Sequence, residues 1–374
     1  MTLTNPWLED GTGVINYLPS SLLLHEALLA LDYRSGVLVF LALMLVILLA
    51  PLVYAFRSYP WSIRILGVVV LGLFSGPAIA SLDRGNTQGF VPLLLFCFAL
   101  AVIRARWKWA VLFLIVAASI KIYPLVLVLL LIALRKWWHA LAAVVGTFLA
   151  ALVALPLVSS NLWPTAQLIF MNPLAFADRD FSSFMANNVS FAGGVAHLFT
   201  TVGITSGAEW IATNGVLVGL AYLVAVAPLL WFTQIVLWQR TILGMALTTG
   251  IMPLVYPYAL NWVIAATSLA VLMSARLSSQ NETHSPESTG HVELSRGQWM
   301  PLLVSLALLS AALPVYLPGS SEAGFAVGLS GMTSLMAMVL LRLGAWWSLI
   351  NRSSRSDRMT ILDAPSPLAG PLPT

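Results

Sequence analysis

The stretch AASIKIYPLVLVLL, Ala117–Leu130, sets Lys121 and Pro124 in the middle of an apolar run. A charge at bilayer depth costs several kcal/mol, about 2.5–3.5 on insertion scales. The run around it, 109–134, has two readings. It is one kinked spanning helix, or two half-length helices forming a hairpin with Lys121 at the tip. The orientation of everything downstream depends on which one holds.

The composition frames the choice. Of 374 residues, 59% are hydrophobic and 9% charged, where soluble domains carry about 25% charged residues. Apolar runs of membrane-spanning length recur from Gly36 to Leu341 with no soluble domain between them, so the chain reads as a polytopic membrane protein. Eleven apolar helices are expected: 36–56, 65–82, 90–103, 109–120, 123–134, 140–158, 213–237, 242–256, 259–275, 300–317 and 325–341. The single cysteine, Cys97, forms no intrachain disulfide. Met1–Tyr33 has no basic start and no clean apolar stretch before a small-residue site, so no cleavable signal is expected there.

Charge asymmetry selects the hairpin. With it, one side collects Arg57, Arg64, Arg104, Arg106, Lys108, Arg135, Lys136, Arg240, Arg276, Arg296, Arg342, Arg352, Arg355 and Arg358; the other holds Arg34, Arg84, Lys121 and Arg179. That is 14 against 4, the whole complement of 18. A single kinked helix would move every basic residue from Arg135 onward to the opposite face. The expected arrangement is therefore an integral membrane domain over 1–350, N-terminus outside and C-terminus inside. It includes an extracytoplasmic segment 1–34, an extracytoplasmic loop 159–211 carrying short interfacial helices, and a polar cytoplasmic linker 277–298. The tail 351–374 is expected to be disordered. Lys121 then lies below the outer surface in a water-filled cavity, and Pro124 opens the returning half-helix, where its missing N–H does no harm.

Four polar stretches fall on that outer side: LDRGNTQGF (82–90), Lys121 with Tyr123, DRDFSSFMANNVSFAGG (178–194) and PLVYPYALNW (253–262). Each has a plain reading as a polar turn, a snorkelling lysine, a loop or an aromatic belt; for Trp262 the belt is the expected role. Taken together they gather Arg84 and Lys121 with Asp83, Asn86, Gln88, Asn187, Asn188, Ser190 and Tyr258. Two cations among amides and hydroxyls suit a phosphate with a sugar beside it. His25, His139, His197, His284 and His291 are scattered, without metal-ligand spacing. Phosphate-loop, dinucleotide-binding and nucleophile-elbow patterns are missing. No nucleic-acid partner is expected, and no cofactor.

These residues resemble glycosyltransferase family 87, membrane enzymes of the GT-C fold that include polyprenyl-phosphate-dependent mannosyl- and arabinofuranosyltransferases. The family's G-[NQ]-x-[NQ] turn is matched by Gly85, Asn86 and Gln88, and its K-x-x-P hairpin by Lys121 and Pro124. Its basic Arg/Lys-Trp turn is matched by Arg135, Lys136 and Trp137, and its N-x-S segment by Asn188 and Ser190. Order and spacing fit from Tyr17 to Arg276. The resemblance implies an all-α, GT-C-like bundle and a hexosyl- or pentosyltransferase in the plasma membrane. The donor is a polyprenyl-phosphate sugar, and the acceptor a lipid-linked or cell-envelope glycan. The family's base is an Asp in the first outer loop, after a first helix; here Glu9 and Asp10 are the carboxylates at that place, and a preceding helix is expected to be missing from the chain. Where the family tends to carry a His, this sequence has Tyr258. Two other classes fit the same architecture: a non-catalytic GT-C-like protein that binds lipid or a partner, and a lipid or sugar transporter.

Overall fold

A computed structural model describes residues 18–26, 31–83, 87–159, 161–167, 188, 190–231, 237–250, 252 and 260–281. The described residues are all-helical, with no strand. The expected helices at 300–317 and 325–341, and the tail 351–374, lie outside them.

The helices in chain order are α1 (Pro19–Glu26), α2 (Tyr33–Ala55), α3 (Trp61–Val68), α4 (Gly76–Asp83), α5 (Val91–Ile103), α6 (Trp107–Ile120), α7 (Val128–Ala133), α8 (Trp137–Val158), α9 (Phe191–Thr201), α10 (Thr205–Thr213), α11 (Gly215–Val226), α12 (Leu237–Gly250) and α13 (Trp262–Asn281). Two stretches are long and apolar enough to cross a membrane alone, Tyr33–Ser58 and Trp137–Leu157. Two bent pairs raise that to four if each pair is one span. Among the described residues, further apolar helices, such as Trp107–Ile120, are shorter than a full span.

The helix α2 shows how such an element is read. It is apolar all round, so hydropathy alone does not say which face meets protein. Gly36, Phe40, Met44, Leu48, Leu52 and Ala55 are buried, a stripe at four- and three-residue spacing. Leu38 and Val46, off the stripe, are more than half exposed, as lipid-facing positions are. The opposite extreme is α13. Every side chain from Leu260 to Leu272 is buried, and the helix packs on α2, α5 and α12. It is the axis of the bundle.

The expected helix 65–82 is two pieces. The α3 helix passes through a π-turn, Val69–Leu73, and the chain bends by 60° before α4. The cause is local. Gly72 sits where a Cβ would strike the Leu49 side chain, Pro77 cannot donate into a continuing helix, and Ser75 caps the new start, its Oγ accepting from Ala78 N–H at 3.4 Å. The expected helix 213–237 likewise begins with a break: α10 and α11 meet at 84° around Asn214. Both α9 and α10 fall inside the stretch expected to carry short helices, and α13 runs five residues into the expected linker, through Asn281.

The opening stretch is broken where the sequence placed the break. The α6 helix ends at Ile120, and Lys121 is extended (φ −145°, ψ 135°). A 3-10 turn, Tyr123–Leu127, then leads into α7. Pro124 occupies the turn's second position, where no N–H is required. The turn packs back against α6.

Two tight turns at the other end of these helices share one geometry. Ala105 (φ 54°) and Arg135 (φ 59°) are left-handed. Arg106 N–H donates to the Ala101 carbonyl at 2.8 Å, and Ala105 N–H to Val102 at 3.0 Å. Lys136 and Arg135 repeat the pair on Leu131 and Ile132, both at 2.8 Å. These are Schellman motifs, closing α5 and α7 so that α6 and α8 return antiparallel. A third, at Gly203 (φ 80°), joins α9 to α10 and uses the residue that fits best.

Candidate functional site

The Lys121 break and the turn Thr87–Phe90 lie at the same end of the bundle, because α5 leaves from the one and α6 arrives at the other. The turn packs on α2, α4, α5 and α6. Its close approach to α2 needs Gly89, where a Cβ would run into the Met44 side chain.

Asn261 holds this end together. It lies in the 3-10 turn that enters α13, at 0% exposure. Its Nδ2 donates to Ser81 Oγ at the end of α4 and to the Gln88 carbonyl at 3.4 Å. One amide thus joins two of the four polar stretches, 82–90 and 253–262. Asn261 is not among the residues expected from the sequence, since nothing local sets it apart from the loop amides around it. Trp262 was expected in an aromatic belt, and this is corrected: Trp262 is 1% exposed and belongs to the core.

The polar atoms here are buried, and several lack a protein partner. Among the described residues, Thr87 Oγ1, Ser119 Oγ and Asn261 Oδ1 accept or donate no hydrogen bond. Leaving such a group buried and unpaired costs about 1–3 kcal/mol. Three lie at this end of the bundle, while Arg64 Nε, Gln239 Nε2 and Arg240 Nε are likewise buried without a hydrogen bond among the described residues, so each such group calls for an explanation of its own. Ser119 precedes Lys121 by two residues, and Tyr123 follows it by two, both buried. Lys121 itself is half-buried, its N–H closing α6 on the Ala117 carbonyl at 3.1 Å.

The N-terminal helix reaches the same place. Ser20 Oγ donates to the Ser119 carbonyl at 2.8 Å, and α1 packs on α6 and α8. The stretch LPSSLLL, 18–24, therefore abuts the last turn of α6, next to Lys121.

Asn188 and Ser190, both at 0% exposure, form the entry to α9. Ser190 N–H donates to Asn188 Oδ1 at 3.0 Å, and Ser190 Oγ accepts from Gly193 N–H at 2.9 Å. This is an Asx turn running into an N-cap. Gly193 is required because a Cβ there would lie 2.6 Å from Asn188 Cγ. Phe191 stacks on Tyr222 with centroids 4.6 Å apart, and the Tyr222 ring covers Gly250 at the end of α12. In turn, α12 packs on the Tyr123–Leu127 turn. The N-x-S segment is thus coupled to the Lys121 break through α12, and its two polar residues have a structural task of their own.

Of the remaining candidates, Asp83 closes α4. Glu9, Asp10, Arg84, Asn86, Asn187 and Tyr258 lie outside the described residues.

Comparison with curated proteins and with solved structures gives no significant match. Comparison with protein-family models matches glycosyltransferase family 87 over residues 16–257. That span takes in α1, the Thr87–Phe90 turn, the Lys121 break, the three Schellman turns and the Asn188–Ser190 cap, and it covers more than half of the sequence. The chain belongs to glycosyltransferase family 87.

Proposed function

We propose that this membrane glycosyltransferase moves a hexosyl or pentosyl group from a polyprenyl phosphate to a lipid-linked or cell-envelope glycan. The reaction takes place on the extracytoplasmic side of the plasma membrane. The observation that carries the reading is Lys121, set at the break between α6 and its returning turn, with buried Ser119 and Tyr123 on either side. An ammonium at that depth is retained where it meets an anion. A polyprenyl phosphate brings its anion to the membrane surface, beside a sugar rich in hydroxyls. The partnerless Thr87, Ser119 and Asn261 atoms are of the kind that sugar hydroxyls satisfy.

In the reaction a carboxylate takes the proton from the acceptor hydroxyl as its oxygen attacks the anomeric carbon, and the carrier phosphate leaves. Glu9 and Asp10 are the assigned carboxylates. Lys121 and Arg84 take up the charge that grows on the departing phosphate. Asp83, Asn86, Gln88, Tyr123, Asn187, Asn188, Ser190 and Tyr258 are assigned to the substrates. A single direct displacement inverts the anomeric centre.

The test is affinity for a polyprenyl-phosphate sugar in nanodiscs, with thermal stability recorded alongside. Lys121→Met should weaken binding by about one to two orders of magnitude, the value of a charge-assisted hydrogen bond, and leave stability unchanged or higher. Lys121→Arg should retain part of the affinity. Unchanged affinity in Lys121→Met would reduce Lys121 to a snorkelling side chain and remove the reading's main cation.

A further inference from the structure

The end of the bundle opposite the Lys121 break carries a second group of cations, to which the sugar-transfer reading gives no task. Tyr54 lies one residue from the end of α2. Two arginines from different elements converge on it. Arg57, in the turn after α2, lays its guanidinium over the ring, with Cζ 3.7 Å from the centroid. Arg104, the residue that caps α5, donates from Nη2 to the Tyr54 hydroxyl at 3.4 Å. Both arginines are exposed.

This placement is built. Arg64, from α3, donates to the Arg57 carbonyl and, at 3.5 Å, to the Tyr59 carbonyl. A third guanidinium thereby fixes the turn that presents the first. Among the described residues, no carboxylate pairs with Arg57 or Arg104. Two like charges held around one phenol repel each other, and the ring face offsets only part of that repulsion. A tetrahedral anion between two guanidinium forks removes it.

The surroundings identify the source of that anion. Trp61, Trp109, Trp137 and Trp138 are 69%, 53%, 60% and 80% exposed at this same end. Lys136 Nζ lies 4.8 Å from the Trp107 ring centroid. Exposed indoles interleaved with cations mark the headgroup layer of a bilayer, where phosphate is carried by lipid. We propose that Arg57 and Arg104, set around Tyr54, form a binding site for the phosphate of an anionic membrane lipid.

The experiment uses the full chain in detergent, titrated with phosphatidylglycerol and read by native mass spectrometry, with thermal stability measured in parallel. Arg57→Gln/Arg104→Gln should bind phosphatidylglycerol about thirtyfold more weakly, the effect of losing charge-assisted hydrogen bonds to the phosphate. Phosphatidylcholine should bind equally to both proteins. Arg135→Gln/Lys136→Gln removes the same charge from the same end without touching the site and, its charges being screened, should stay within about threefold of wild type. Equal losses in the two double variants would overturn the site in favour of unspecific attraction. A large excess of inorganic phosphate should leave phosphatidylglycerol bound; displacement would overturn the assignment to lipid. If the glutamine pair does not fold, Arg57→Lys/Arg104→Lys decides, since it keeps the charge and loses the fork. It should lose about fivefold, and unchanged affinity would overturn the proposal.

Discussion

At one end of the bundle Arg104, Arg106 and Arg135 are exposed on tight turns. At the other, Thr87, Ser119 and Asn261 are buried, each with a polar atom that has no hydrogen-bond partner among the described residues. The first end follows the ordinary rules of a membrane surface. Most of its cations reach solvent or lie over aromatic rings, though Arg64 Nε is buried without a hydrogen bond among the described residues, and its turns close their own backbone hydrogen bonds. The second end goes against those rules. A chain gains nothing in stability by burying an unpaired hydroxyl, which supports our placing the proposed sugar transfer at this end. The two ends should therefore respond differently to substitution: at the basic end changes act on stability or lipid contact, and at the polar end stability and substrate binding separate.

The largest expected effect tests whether the polar end is held together at all. Asn261→Leu removes the donor shared by Ser81 Oγ and the Gln88 carbonyl and leaves both acceptors buried. The loss should be about 2 kcal/mol, read as a lower unfolding temperature in detergent. An unchanged temperature would mean that the amide contributes nothing net, and the polar end would then lack its brace.

Next comes a change of opposite sign. Thr87→Val replaces a buried hydroxyl whose oxygen has no partner among the described residues with a methyl of nearly the same shape. Stability should rise by about 1 kcal/mol, because the desolvation cost disappears. Affinity for a polyprenyl-phosphate sugar should fall in the same variant. A gain in stability with unaltered affinity would leave the hydroxyl without a function and weaken the contrast between the ends.

How far the sequence carried this picture differs from residue to residue. The Lys121 break was legible, because a lysine and a proline three residues apart do not fit inside one apolar helix. The bend before α4 was hidden: Gly72, Ser75, Gly76 and Pro77 sit in a run whose hydropathy never drops, and the bend depends on Leu49 packing from α2. Asn188 and Ser190 were found as a pair, but their cap on α9 depends on which backbone N–H groups lie within reach. Asn261 was missed because its partners, Ser81 and Gln88, are distant in sequence; nothing local distinguishes a bracing amide from a loop amide. The buried stripe of α2 was out of reach for a related reason, since both faces of the helix are apolar.

At the basic end a smaller effect is expected, on stability alone. Ala105 is a non-glycine residue at φ 54°, and the left-handed conformation costs an L-residue about 1–2 kcal/mol. Ala105→Gly relieves that strain while giving the unfolded chain more freedom. The net gain should be somewhat under about 1 kcal/mol. Affinity for the sugar carrier should not move. A change in carrier affinity would show that the two ends are coupled, and the division drawn between them would fail.

The smallest effect belongs to Asp32, at the start of α2. It is exposed and accepts from Ser35 N–H through Oδ2 at 3.1 Å. The Ser35 hydroxyl, and then its backbone N–H, hold the carboxyl below its ordinary value of 3.8. A carboxyl lowered on folding stabilises the folded state above the unfolded value, and that contribution disappears as the pH falls through the folded one. Asp32→Ala should therefore unfold slightly earlier than wild type at neutral pH, and the difference should close on acidification below the ordinary carboxylate range. Asp32→Asn keeps an oxygen acceptor for the cap and has no proton to take up, so its offset from Asp32→Ala should be independent of pH. The comparison within one position isolates the charge, because every other carboxyl titrates equally in the three proteins. A gap between wild type and Asp32→Ala that persists in acid would mean that the cap works through the oxygen alone. The negative charge at the helix start would then contribute nothing to holding α2, the helix that packs against the Thr87–Phe90 turn at one end and presents Tyr54 at the other.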